Sequence, residues 1–446
     1  MTGRELLDSI NKTKASELFS SLYGAENVYA ARLRYRHLIE GLMQGFTGEK
    51  FPETAGDLRV FSVPGRTELG GNHTDHNRGK VLAASIQLDA VAVAAPRQDM
   101  QVFFHSKDHP DVKIDISDLS QAEEEKGRTE ALVRGIAAEL TARRLPLRGF
   151  TANADNMVLS GSGLSSSAVV EVLIGKIFDS LYGGGKTSAL ELAKIGQKAE
   201  NVYFGKPCGL MDQTACASGG AVAIDFEDPA NPKVREIGFD PASFGYAFCI
   251  VNTKGDHSDL TPDYAAVPAE MKAAASFFGK SVLRELDEGE FFSRLPDLRN
   301  TVGDRAILRA MHFFSENRRV AAMLAALEEM AAPPAERAMD AFLALVRESG
   351  DSSWELLQNI YSPKNLNAQG LGLALALTKN FLNSSSSGKG ACRVHGGGFA
   401  GTIQAYIPTE KLKDYRDLLE GVFGIGTVTV LKIRPQGAIE LNFKQV

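Results

Sequence analysis

The strand-like and helix-like segments of this sequence lie in separate blocks rather than alternating along the chain. Apolar or alternating patterns typical of strands mark seven segments, at 58–63, 81–95, 151–159, 219–226, 246–251, 401–408 and 427–433. Helical periodicity fills 4–46, 129–144 and most of 267–380. A doubly wound parallel sheet needs regular alternation, so this segregation favours the α+β class. At 446 residues and 44% hydrophobic content, the chain suits two globular domains better than one.

Local patterns also predict details of the first sheet and of the domain division. The strand that begins at Leu58 is expected to stop at Pro64-Gly65, a pair typical of turns. The segment 100–104 looks like a continuation of 81–95 across a turn, which suggests an antiparallel sheet. Residues 227–241 are rich in proline and acidic side chains, and they are the best candidate for a boundary region.

Charge and cysteine content limit which binding partners and which cellular compartment are expected. The formal net charge of -6 argues against nucleic acid or an anionic membrane as the main partner. None of the four cysteines forms a Cys-x-x-Cys pair, so reduced thiols in a cytoplasm are the simplest interpretation. The sequence has no signal-peptide pattern at its N-terminus and no run of ~18 apolar residues. We therefore expect a cytoplasmic protein without a membrane partner.

A dense polar segment follows the first strand, between Arg66 and His76. It contains Glu68, Asn72, His73 and Asp75 among several glycines. A loop this rich in donors and acceptors at a strand end commonly holds a polar ligand, although a solvated turn with a structural arginine would look similar. A metallohydrolase run would need a histidine where Gly71 stands, so a metal site is not expected here.

A Gly/Ser loop opens a predicted helix at 161–168. Its residues are Gly161, Ser162, Gly163, Leu164, Ser165, Ser166, Ser167 and Ala168. Free backbone N–H groups and the positive end of the helix dipole favour phosphate at such a place. A serine-capped helix start without any ligand is the competing interpretation.

A third candidate is the acidic pair Glu200 and Asp212. Asp212 stands among small and apolar residues, which suggests partial burial. A buried carboxylate needs a partner or a function. From these residues alone, a capping or ion-paired aspartate is as consistent with the pattern as a catalytic one.

Taken together, these segments resemble the signatures of the galactokinase family within the GHMP kinase superfamily. The matching segments are 65–79, 161–168, the Met211-Asp212-Gln213 step and a glycine-rich run at 393–401. The resemblance implies an α+β, two-domain GHMP kinase fold. An N-terminal domain at 1–243 would contain a left-handed β-α-β unit, with 1–57 including a helical extension. A ferredoxin-like C-terminal domain would span 244–446, with ATP and sugar in the cleft between.

The resemblance also implies roles for individual residues. Asp212 and Arg66 match the catalytic pair, and the magnesium ligands match Ser167 and Glu200. The ATP-binding loop matches Gly161, Ser162, Gly163, Leu164, Ser165, Ser166 and Ser167. The sugar-binding positions match Asn72, His73, Asp75, Gly209, Asp212 and Tyr264. The implied cofactors are ATP and Mg²⁺, and the protein is expected to be a monomer or a weak homo-oligomer.

Several positions depart from the family pattern, while the catalytic positions keep the family's residues. Asn72 stands where the family has Glu, and Glu68 stands where it has Asn. His76 replaces a tyrosine, His395 a threonine and Ala400 a glycine. An amide keeps one acceptor of the lost carboxylate, adds two donors and removes the charge.

The leading hypothesis is transfer of the ATP γ-phosphate to the anomeric hydroxyl of a galactose-like sugar. The altered sugar positions leave other sugar 1-kinases open, acting on N-acetylgalactosamine, arabinose or galacturonate. A sensor that binds ATP and sugar without turnover is a further alternative. The presence of Ser167-Ala168, a step that such sensors can lack, favours catalysis.

Overall fold

The computed structural model describes residues 1–45, 57–158, 163–255, 260–330, 335–385 and 388–443. Its strands are β1 (Arg59–Gly70), β2 (Lys80–Pro96), β3 (Gln101–Ser106), β4 (Val112–Asp115), β5 (Phe150–Asn156), β6 (Ala221–Asp225), β7 (Lys233–Ile237), β8 (Tyr246–Asn252), β9 (Ala391–His395), β10 (Thr402–Pro408), β11 (Val428–Leu431) and β12 (Ile439–Leu441). Its helices are α1 (Gly3–Ser9), α2 (Thr13–Tyr23), α3 (Val28–Gln44), α4 (Thr129–Ala142), α5 (Ser166–Phe178), α6 (Ala189–Lys198), α7 (Met211–Ser218), α8 (Thr261–Phe277), α9 (Glu288–Ser293), α10 (Leu295–Val302), α11 (Asp304–Glu329), α12 (Ala335–Ser352), α13 (Gly370–Ser385) and α14 (Leu412–Phe423). The strands form two separate sheets, which confirms the α+β class.

The long strand β2 organises the larger sheet, whose order is β12-β1-β2-β5-β3-β4. The first half of β2 pairs with β6 and the second half with β5, both antiparallel. β3 and β5 are parallel neighbours joined through α4, which makes a β-α-β unit. The left-handed sense of that unit stays a prediction.

The expected pairing of the 100–104 strand with β2 is wrong, because β5 lies between them. The turn after β2 bonds to the residue that precedes β5. Arg97 N donates to Gly149 O at 2.9 Å, and Gly149 N donates to Asp99 O at 2.7 Å. A tight turn therefore does not force its two strands to pair when a third strand can enter between them.

The expected end of β1 at Pro64-Gly65 is also wrong, since the strand continues to Gly70. The pairing of β1 with β2 shifts register between Pro64 and Arg66. Such a bulge accommodates a proline in a strand interior. A Cβ on Gly65 would lie 3.0 Å from Val158 and 3.2 Å from the Leu164 carbonyl oxygen. The bulge lets the strand continue past Pro64 through Arg66 and Glu68 to Gly70.

Helices cover both faces of the larger sheet. One face packs against α4, α5, α11 and α12 through a large apolar core. The opposite face, which includes Val60, Val91 and Val93, is covered by the N-terminal helices. The predicted helical extension consists of three helices, and they cover an apolar face of the sheet.

The smaller sheet has the order β11-β8-β10-β9, and every pair in it is antiparallel. Along the chain, its strands and packed helices follow as β8, α13, β9, β10, α14 and β11, which is the ferredoxin-like order. The C-terminal strand β12 returns to the larger sheet beside β1. A domain division at residue 244 stays a prediction. Within the described ranges, no helix is long and apolar enough to cross a membrane.

Candidate active site

The predicted catalytic residues Arg66 and Asp212 meet as a two-point ion pair. Arg66 lies on β1 just after the bulge, and Asp212 lies in the first turn of α7. Arg66 Nε and Nη2 donate to the two carboxylate oxygens of Asp212 at 2.8 and 2.7 Å. Arg66 Nη1 also donates to the Gly163 carbonyl oxygen, and the Ser165 hydroxyl donates to Asp212. The Gly/Ser loop therefore contacts both members of the pair.

This arrangement keeps both groups ionised. Burial would raise the pKa of Asp212, but the charge and hydrogen bonds of Arg66 outweigh it and lower that pKa. Burial likewise opposes the charge of Arg66, yet the Asp212 carboxylate raises the pKa of the guanidinium. A third of the Asp212 side chain stays accessible. The carboxylate is thus a fixed negative charge that a ligand hydroxyl can reach, and it is a weak base.

A pocket of about 200 Å³ opens beside this pair. Its wall contains six predicted site residues: Arg66, Asn72, His73, Asp75, Gly209 and Asp212. Glu68 and His76 line it too. Tyr264 is not part of this wall, since its ring lies against Gly397 and its hydroxyl donates to Gly398 O at 3.0 Å. The sugar-binding role of Tyr264 stays a prediction.

The loop that contains Asn72 and His73 is held by distant parts of the chain. His73 Nε2 lies 2.9 Å from the Gly397 carbonyl oxygen. Burial and the neighbouring His76 lower the pKa of His73, so the ring is neutral and donates through Nε2. Its Nδ1 is then the acceptor of the ring. His312 Nε2 lies 2.9 Å from the backbone oxygen of Asn72, within hydrogen-bond distance.

The described part of the predicted ATP loop adjoins a second cavity, of about 500 Å³. Gly161 and Ser162 lie outside the described residues. Leu164 is buried, Gly163 packs against the backbone of Gly396, and Ser165 has a positive φ of 61° at the start of α5. The cavity is lined by Ser166 and Ser167 together with Phe104, Asn156, Val170 and Phe204. Apolar walls beside a helix N-terminus suit a nucleotide base and its phosphates.

The predicted magnesium ligand Glu200 lies in a buried acidic group. It follows α6 in a π-helical turn, Ala199–Phe204. Gln213 Nε2 donates to Glu200 at 3.1 Å and to Glu171 at 2.9 Å, and Glu171 lies one turn after Ser167 on α5. Lys206 is the nearby cation, 3.2 Å from Glu200.

These residues fit a magnesium ion that binds together with nucleotide. Oε1 of Glu171 is buried without a hydrogen-bond partner in the described part of the chain. Within that same part, no group of three or more His, Cys, Asp or Glu side chains is placed to hold a metal ion. Mg²⁺ commonly binds through one or two protein groups plus substrate phosphates and water, so Ser167 and Glu200 would suffice.

Comparisons with known proteins agree with this geometry. Residues 49–96 match the family model "Galactokinase galactose-binding signature", and residues 131–220 match "GHMP kinases N terminal domain". The galactokinase of Mannheimia succiniciproducens is 31% identical over 376 residues, which cover 83% of this chain and 90% of that protein. This chain belongs to the galactokinase family. It is therefore a GHMP kinase that uses ATP.

Other members of the family and superfamily support the same assignment. The galactokinase of Streptomyces coelicolor is 33% identical over 291 residues, covering 64% of this chain and 73% of that one. The fold matches the crystal structure of Lactococcus lactis galactokinase complexed with galactose, with a TM-score of 0.72 at 23% identity and coverage of 96% and 99%. Methanococcus jannaschii mevalonate kinase matches with a TM-score of 0.58 at 15% identity, covering 85% of this chain and 99% of that one. The GHMP kinase fold is thereby confirmed.

Several residues of the site carried no signal in the sequence. His312 and Asn359, which bond to the galactokinase signature loop, lie far from every motif. Glu171 and Gln213 stand beside or inside motifs that assign them no individual role. The one available signal was the i, i+4 spacing of Ser167 and Glu171, which places both on one face of α5.

Gly209 offers a direct test of the pocket. A Cβ at this position would press into Asp75 Oδ2, so Gly209→Ala should displace that carboxylate. We expect the KM for sugar to rise at least about tenfold with a smaller change in kcat, because misplacing a contact by ~1 Å is costly. Steady-state kinetics would measure both constants. The matched control is Gly238→Ala, whose Cβ would meet nothing within 4 Å. Equal KM values for the two variants would contradict the assignment.

Proposed function

We propose that this protein transfers the γ-phosphoryl group of ATP to the anomeric hydroxyl of galactose, giving galactose 1-phosphate and ADP. The observation that carries this proposal is the position of Arg66. Its guanidinium binds Asp212 on the wall of the galactokinase signature pocket and also holds the Gly163 carbonyl of the ATP loop. A hydroxyl beside Asp212 would therefore face the phosphate-binding loop.

The protein groups would act mainly by positioning and by charge. Phosphoryl transfer passes through a loose transition state that asks for little covalent help. Asp212 would accept a hydrogen bond from the sugar hydroxyl and point its oxygen toward the nucleotide. Arg66, held beside it, would stabilise negative charge on that oxygen as the O–P bond forms. Because the pKa of Asp212 is lowered, we expect the carboxylate to orient the hydroxyl and to take its proton late.

We infer that Ser167 and Glu200 hold magnesium when ATP binds. The ion would supply neutralisation of the phosphate charge. Gln213 donates to Glu200 and so fixes the direction of its carboxylate. We further expect a monomer or weak homo-oligomer that works in the cytoplasm, consistent with four free cysteines, of which three are buried.

Glu200→Gln tests the magnesium assignment. Loss of the negative charge should raise the Mg²⁺ concentration for half-maximal ATP binding about tenfold or more, as is usual when a metal-site group is altered. Calorimetric titration of ATP at several Mg²⁺ concentrations would measure this without turnover. Glu123→Gln, on an exposed side chain, is the control. An unshifted Mg²⁺ dependence would remove Glu200 from the metal site.

The function itself is tested by ADP release with Mg-ATP and a panel of sugars. The panel contains galactose, N-acetylgalactosamine, glucose, arabinose and galacturonate, with Asp212→Asn as the inactive control. We expect turnover on galactose that the control lacks. Turnover on another sugar alone would keep the mechanism and overturn galactose as substrate. ATP binding without turnover on any sugar would overturn the kinase proposal in favour of a sensor.

A further inference from the structure

Two of the departures from the family pattern, Glu68 and Asn72, contact each other in the folded protein. Asn72 Nδ2 lies 3.3 and 3.5 Å from the two carboxylate oxygens of Glu68. Both side chains line the sugar pocket, and both are almost fully buried. In the family pattern the amide stands at 68 and the carboxylate at 72. The two functional groups have therefore exchanged places between touching positions.

The carboxylate of Glu68 is paired with a buried arginine. Arg393 Nη2 donates to Glu68 Oε1, and the Arg393 side chain is 0% exposed. The next carboxylate, Glu316, is 3.9 Å from the Arg393 guanidinium and is bonded to Arg319 and Ser349. Glu68 is thus the close ionic partner of Arg393, and its orientation is set by that pair.

Glu68 and two further partners together fix the orientation of the Asn72 amide. Its Nδ2 donates to the Gly396 carbonyl oxygen at 2.7 Å as well as to Glu68. Its Oδ1 accepts from Asn359 Nδ2 at 2.8 Å. One lone pair of that oxygen remains for a ligand, because a carbonyl oxygen accepts two hydrogen bonds. The pocket therefore presents a neutral, partly satisfied acceptor at position 72.

We propose that Glu68 and Asn72 act as one specificity-determining pair, in which Glu68, held by Arg393, orients the Asn72 amide so that a neutral acceptor meets one sugar hydroxyl. The inference rests on the proposed function and names a further determinant of its substrate range. A carboxylate left unpaired in a buried pocket costs more than an amide that already holds one partner. The natural pocket should therefore tolerate sugars that lack the facing hydroxyl.

The test compares the natural protein with the reciprocal exchange Glu68→Asn plus Asn72→Glu and with each single variant. Calorimetry would give Kd for galactose and for its 2-, 3-, 4- and 6-deoxy analogues, and steady-state assays would give kcat/KM. For one of the four deoxy analogues, we expect the natural protein to bind about tenfold more weakly than it binds galactose. The exchanged protein should bind that analogue at least about a hundredfold more weakly than galactose. Discrimination at the other positions should change little.

The single variants separate specificity from folding. Asn72→Glu alone places two carboxylates in contact with each other, whereas the exchanged protein has one carboxylate there, so Asn72→Glu should unfold at a lower temperature than the exchanged protein. Discrimination unchanged by the exchange, or additive effects of the two substitutions on unfolding, would overturn the inference. The ratios of Kd values can be measured without turnover. If the protein had no kinase activity but its discrimination shifted as expected, the proposed function would be rejected and the inference about Glu68 and Asn72 would stand.

Discussion

Asp212→Asn is expected to lower kcat about a thousandfold, or about 4 kcal/mol in the barrier, while the affinity for sugar changes by no more than about threefold. The carboxylate accepts from Arg66 Nε and Nη2 at the same time. An amide has one acceptor oxygen, and its NH₂ group would face an arginine donor. The variant should therefore lose both the fixed negative charge beside the hydroxyl and the alignment of Arg66.

Rapid-quench kinetics with Mg-ATP and calorimetric titration of sugar would measure the two effects separately. Asp75→Asn is the informative comparison, since Asp75 lines the pocket without contacting Arg66 in the described structure. It should mainly raise the Kd for sugar and spare kcat. If Asp212→Asn kept kcat within tenfold of the natural protein, Asp212 would have no part in the chemical step.

Asp89→Asn is expected to destabilise the protein by about 3–5 kcal/mol, because it breaks a buried ionic group: Arg434 would lose its close carboxylate, and Arg34 would keep only Asp155. Asp89 is fully buried and lies 2.5 Å from Arg34 and 3.0 Å from Arg434. It also accepts hydrogen bonds from Ser62 and from Tyr23, the latter at 2.7 Å. The group joins the N-terminal helices, the larger sheet and the segment before β12.

Urea denaturation followed by fluorescence and circular dichroism would give the free energy of unfolding. Asp99→Asn is the matched control, since Asp99 pairs with Arg97 at 2.7 Å but half of its side chain is exposed. Exposed pairs of this kind contribute about 0–1 kcal/mol. Equal losses in the two variants would show that the buried group does not hold the N-terminal helices to the sheet. A loss that appears only in a separate, earlier transition would localise its effect to those helices.

The errors in the strand predictions have a common origin. Pro64-Gly65 is a local signal typical of a strand end, and the turn after β2 is typical of a hairpin. A bulge at Pro64 and the entry of β5 beside β2 changed both outcomes. Each depends on a partner strand that comes from elsewhere in the chain, which local propensity does not encode.

The sequence by itself determined the α+β class, the positions of most helices and strands, and the family signatures, because these depend on short-range periodicity and on residue types at fixed spacing. Only the tertiary structure decided which side chains meet. Arg66 and Asp212 are 146 positions apart, and Glu68 and Arg393 are 325 apart. Such contacts follow from the packing of β1 against α7 and against the smaller sheet. The sequence thus indicated two separate departures at Glu68 and Asn72, and folding made them one hydrogen-bonded pair.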